Sequence, residues 1–207
     1  FNPSEAVNLR VSYAGGYRAP QAFDEDMHIA VVGGKRVRIR LADDLKEERS
    51  HSVSLSADLY HNFGRVQTNL LVEGFYTILD DVFALRDMDD AADGGKVKER
   101  YNGSGATVRG FNVEGRAAFT RWFELQAGVT LQQSRYKEPE FWSEDAEVPP
   151  VRRMFRTPDA YGYFTASFKP VRNFTADLSG TCTGSMLVQH MAGSGVAQDV
   201  AVSTPSF

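Results

Sequence analysis

The sequence is poor in the features that settle a protein's class at a glance. It holds one cysteine, Cys182, so neither an intrachain disulfide nor a four-cysteine zinc site can form. It has no basic excess: 23 Lys and Arg stand against 27 Asp and Glu, a net charge of −4, and no nucleic-acid footprint follows. No apolar run approaches the roughly 18 residues of a spanning helix, which excludes a helical membrane protein. A membrane barrel stays open, because its strands hide their apolar signal in alternation. Helical periodicity is almost absent. So are the motifs of chemistry: no glycine-rich nucleotide loop, no Walker loop and no nucleophile elbow. His28, His51, His61 and His190 show no metal-ligand spacing. The acidic run Asp87, Asp89, Asp90 and Asp93 departs from a calcium loop, since Lys98 stands where Glu is needed, and it reads as a solvated loop. No residue is left to carry catalysis, so the chain is expected not to be an enzyme and to use no cofactor and no metal.

What the sequence does contain is alternation. Its most regular stretch is Thr107–Tyr136, two strands joined by a very short turn. One parity carries Phe111, Val113, Ala117 and Phe119, then Phe123, Leu125, Ala127, Val129 and Leu131. The other carries Asn112, Glu114 and Arg116, then Glu124, Gln126 and Gln132. Side chains on a strand point to opposite faces with period two, so this hairpin has one apolar and one polar face. The same pattern predicts strands at about 5–14, 51–59, 65–79, 158–168 and 173–183, seven in all. Cys182 falls on an apolar face as a small buried or lipid-facing residue. A hairpin is expected within Lys35–Leu41, loops at 87–105 and 136–156, and an eighth strand near Val200.

The connections alternate long, short, long, short, as the outer loops and inner turns of outer-membrane barrels do. Aromatics gather at the short turns: Tyr60 and Phe63, then Phe119, Trp122 and Phe123, then Phe168 and Phe174. An interfacial girdle explains that clustering; the rival is a β-sandwich closing the end of its core. The pattern favours the barrel. An unpaired Arg or Lys in hydrocarbon costs roughly 2–4 kcal/mol at the midplane of a barrel, so the polar parity is assigned to a hydrated lumen.

Three short segments, in order, then carry a resemblance. Ser12-Tyr13-Ala14-Gly15-Gly16-Tyr17-Arg18-Ala19-Pro20 is similar to a strand-ending signature of TonB-dependent outer-membrane receptors, especially Bacteroidetes-like ones. Leu45-Lys46-Glu47-Glu48-Arg49-Ser50 resembles the family's Leu-x-Pro-Glu-x-Ser entry to the next strand, with Glu47 where Pro is usual. Gly105–Tyr136 resembles a strand pair opening on Gly-x-Glu, and Arg156-Thr157-Pro158 fits the opening of a later strand. The resemblance implies an all-β fold, an antiparallel up-and-down meander forming part of a transmembrane β-barrel of about 22 strands. Residues 1–207 are then expected to be a fragment of one barrel domain, without the plug domain and terminal strands. Also implied are an outer-membrane location among lipid, a TonB-type energising protein acting through the plug, and uptake of a small-molecule nutrient such as a siderophore or cobalamin.

Two segments are candidates for touching a ligand. One holds Arg18, Asp24, Asp26 and His28; the other holds Trp142, Arg152 and Arg153, with Tyr136 and Phe141 nearby. Aromatic and guanidinium groups on long loops over a lumen suit an anionic chelate by stacking and charge; the rival reading, which the residues taken singly favour, is that of plain mobile surface loops. The alternative function is a soluble β-sheet binding module, for example one for carbohydrate.

Overall fold

A computed structural model describes residues 1–20, 37–88, 96–143, 147–190 and 200–206. Every element among them is a strand. The seven strands expected from alternation form one antiparallel sheet: β1 (Val7–Arg18), β3 (Glu48–Phe63), β4 (Val66–Asp80), β7 (Ala106–Thr120), β8 (Phe123–Glu140), β10 (Ala160–Val171) and β11 (Phe174–Thr183), neighbours in that order. The rest lie in the long connections: β2 (Val37–Leu41), β5 (Phe83–Met88), β6 (Lys96–Asn102), β9 (Val151–Arg153), β12 (Leu187–His190) and β13 (Val200–Ser203). No helix is long and apolar enough to cross a membrane, which says nothing about strands that do.

The register lines up the parities across the wall. One row reads Leu9, Ala57, Val72, Val113, Val129, Gly162 and Cys182, crossing all seven strands. The row one residue away reads Arg10, Ser56, Glu73, Asn112, Thr130, Tyr161 and Thr183. A slip of one residue in any pair would exchange these rows, so the pattern itself enforces the register.

The apolar face is not buried. Val11 is 74% exposed, Phe111 64% and Leu178 61%, and the only buried apolar residues among the described ones are Ala42, Ala106 and Ala166. A soluble β-sandwich would cover such a face with a second layer. Here the face is bounded by rings instead. At the short-turn end Phe119 stacks on Phe123 at 5.4 Å, Phe123 lies 4.8 Å from Phe168, and His61 meets Phe63 edge-on at 4.3 Å. At the other end the row Tyr13, Val53, Tyr76, Arg109 and Gln133 turns polar. From Val66 to Tyr76 along β4, a rise of ~3.4 Å per residue and a tilt of ~40° give a band about 26 Å tall, the height of a bilayer's hydrocarbon. Tyr60 does not belong to the lower ring as expected: it pairs with Asn69 on the polar parity.

The long connections are more ordered than alternation foretold. Lys35–Leu41 is not a hairpin within its described part; Val37–Leu41 is a single strand running parallel to β6. The Asp-rich stretch is flanked by a hairpin, β5 against β6, where a loop was expected. β8 runs on to Glu140 and pairs with β9, so the loop expected from Tyr136 starts later. Val200 opens β13, which pairs with β12 rather than adding an eighth wall strand. These small strands have weak period-two patterns of their own. Their pairing is supplied by neighbours distant in sequence.

Candidate ligand-binding cavity

The polar face of the wall is stitched together by side chains. Asn112 donates to Glu73 at 2.9 Å and accepts from Thr130 at 2.8 Å. Tyr163 donates its hydroxyl to Glu114 at 2.6 Å, while the Gln126 amide donates to Glu114 at 2.7 Å and to the Tyr163 oxygen at 3.0 Å. The Tyr163 ring packs against Gly128, where a Cβ would come within 2.6 Å of it. Arg116 donates to Glu124 at 2.6 Å. Charges and amides satisfied this way suit a hydrated interior and would be intolerable against acyl chains.

Above the band, on the same side, β5 and β6 are clamped to the wall. Glu48 accepts the Phe83 N–H at 2.7 Å and a bond from Arg18 at 3.3 Å. The Arg18 guanidinium also lies 5.5 Å over the Phe83 ring. Asn102 accepts from the Lys46 N–H at 2.8 Å and donates to the carbonyls of Lys46 at 3.0 Å and Asp81 at 2.7 Å. One amide side chain thereby joins the long connections that precede β3 and β7.

The clamp leaves a cavity of about 800 Å³ between the β5–β6 hairpin, the end of β8 and the segment after it. Its aromatic lining is Phe83, Tyr101, Tyr136, Phe141, Trp142 and Phe155. Trp142 and Phe155 meet edge to face at 5.5 Å. Three charged residues, Arg86, Lys98 and Glu140, complete the picture. Arg86 is paired with Glu99, its Nε donating at 2.8 Å, and its guanidinium sits 4.9 Å over Tyr101. The Glu140 side chain makes no hydrogen bond or ion pair among the described residues, and burial pushes its carboxyl above the usual carboxylate range. Burial, with the Glu140 charge adding to it, likewise raises the Tyr101 phenol.

Of the expected ligand candidates, Trp142 lines this cavity, with its neighbours Tyr136 and Phe141. Arg152 and Arg153 do not. Arg152 donates to the Lys137 carbonyl at 2.9 Å, and Arg153 pairs with Asp159 at 3.1 Å and donates to the Ser185 carbonyl at 3.0 Å. Arg18 sits behind Phe83 in the clamp. Asp24, Asp26 and His28 lie outside the described residues, as do Asp89, Asp90 and Asp93. Sequence reasoning missed Glu140, although it stands two residues before Trp142. It also missed Phe83, Arg86 and Tyr101, which reach the cavity only through the β5–β6 hairpin. Among the described residues no cluster of His, Cys, Asp and Glu could hold a metal ion.

An antiparallel meander with one apolar and one polar face, a bilayer-high band and an aromatic ring at its short-turn end is the wall of a transmembrane β-barrel. The family model for TonB dependent receptor-like β-barrels matches residues 1–200, and the chain belongs to that family. Solved structures agree on the fold. The FrpB iron transporter from Neisseria meningitidis (F5-1 variant) superposes with a TM-score of 0.62 at 17% identity, covering 100% of this chain and 30% of that one. The ferric-catecholate import receptor Fiu from E. coli K12 gives 0.62 at 13%, covering 100% and 26%. A mutant of the ferric enterobactin receptor PfeA from Pseudomonas aeruginosa gives 0.62 at 14%, covering 100% and 30%. The chain thus spans less than a third of the length of these neighbours. No curated protein matches it. Receptors of this family are outer-membrane transporters rather than enzymes.

Proposed function

We propose that this chain is the C-terminal part of the barrel domain of an outer-membrane receptor that imports a scarce nutrient, a siderophore, cobalamin or similar chelate. Its seven wall strands complete a barrel with strands from the rest of the receptor, and a TonB-type protein drives transport through a plug domain. The observation that carries this is the two-faced wall: an uncovered apolar band about 26 Å tall on one side, by the rise and tilt of its strands, and a hydrogen-bonded polar face on the other. The structural neighbours' roles in iron and ferric-catecholate import make a metal chelate the first class to test. The test is uptake in the native host. Cells lacking the receptor regain import of a labelled ferric chelate or cobalamin when the full-length receptor is restored, and lose it again when TonB is deleted. Import that persists without TonB, or a receptor absent from the outer-membrane fraction, would overturn the proposal.

A further inference from the structure

We propose that the cavity at the end of β8 binds an organic cation, an ammonium group seated between aromatic faces with Glu140 as its counter-ion. If the receptor imports a chelate as proposed above, this is the subsite for that chelate's amine-bearing arm.

The sign of the charge follows from the neighbours. The arginines that made the Trp142 region look anion-binding are paired elsewhere: Arg152 with Glu138 at 3.9 Å and the Lys137 carbonyl, Arg153 with Asp159 and the Ser185 carbonyl. Arg86 faces the cavity but is neutralised by Glu99 and stacked on Tyr101. Lys98 lines it too, and neither it nor Arg86 makes a hydrogen bond or ion pair with the Glu140 carboxylate. The uncompensated charge is therefore the Glu140 carboxylate.

The lining supplies the other half of the recognition. A cation over an aromatic face is held by the ring's quadrupole, and desolvation strengthens the attraction. Arg86 over Tyr101 already shows this within the cavity. Tyr136, Phe141 and Trp142 offer further rings beside Glu140. The Trp142 Nε1–H is buried without a partner among the described residues and can donate to an acceptor that the ligand carries beside its ammonium.

The experiment uses the full-length receptor in detergent and two probes of one shape, choline and its uncharged isostere 3,3-dimethylbutan-1-ol, titrated calorimetrically. Choline is expected to bind at least about tenfold tighter than the isostere. E140Q should abolish that preference and W142L should weaken both probes, in receptors whose heat-modifiable mobility confirms a folded barrel. Lowering the pH should weaken choline alone, as Glu140 takes up its proton. Equal binding of the two probes, or an undiminished preference in E140Q, would overturn the cation site. Nutrient uptake by the same strains separates the two proposals: import with no choline preference refutes only the subsite, and choline preference without TonB-dependent import refutes only the transport assignment.

Discussion

Single residues at the outer end decide how the long connections are held. Glu48 is the clearest case. It occupies the Glu position of the motif that opens β3, and its carboxylate serves Phe83 N–H and Arg18 at once. Glu48→Ala is expected to leave the part-buried Phe83 amide without its acceptor and weaken local stability by about 1 kcal/mol. Hydrogen exchange at β5 in the full-length receptor measures it. Asn102→Ala should loosen the same hairpin, because all three of its bonds are to backbone. Glu140 acts in the opposite sense. Its raised pKa means the folded state holds the proton more tightly than the unfolded one. Stability is therefore greatest below the ordinary carboxylate pKa and falls as pH rises through the higher folded value. E140Q should thus protect the Tyr101 and Gly103 amides from exchange better than wild type at neutral pH. That advantage should vanish below about pH 4, where wild type is protonated in both states.

At the scale of the element, the β7–β8 hairpin states the whole wall in miniature. Val113 faces Val129 in the row that crosses the apolar face, while Asn112 and Thr130, one residue away, bond to each other on the polar face. Val129→Lys in the full-length receptor should cost roughly 2–4 kcal/mol and cut outer-membrane assembly. Thr130→Lys should assemble normally, with Glu73 near enough on the same face to receive the charge. Heat-modifiable mobility on gels reads both. Equal assembly of the two variants would mean that the wall does not face lipid. The β5–β6 hairpin obeys a different rule, since its strands are held by Glu48, Asn102 and the parallel partner β2 rather than by a face of their own.

For the whole molecule, the outer edges of β1 and β11 carry no strand partner among the described residues. An open edge presents unpaired N–H and C=O groups in a row and recruits other chains. Residues 1–207 produced alone in detergent should therefore associate, seen as a mass above the monomer by light scattering. In the complete receptor the same edge amides should exchange slowly, because barrel closure pairs them.

The sequence by itself determined the wall. Period-two alternation placed all seven strands, their faces and the alternation of long and short connections, because burial against lipid or lumen is a local property that each residue meets separately. The ring of Phe119, Phe123 and Phe168 was legible for the same reason, and Tyr60 was misplaced only by overlooking its parity. Tertiary structure decided the cavity. Phe83, Arg86 and Tyr101 reach Trp142 through a hairpin held in place by Glu48 and, through its own Asn102, by Lys46, residues far off in the chain. The fate of the arginines was equally invisible, since a guanidinium pairs with whichever carboxylate folding brings near, here Glu138 and Asp159. Only the folded chain shows that Arg152 and Arg153 are occupied and that Glu140 is left facing the space.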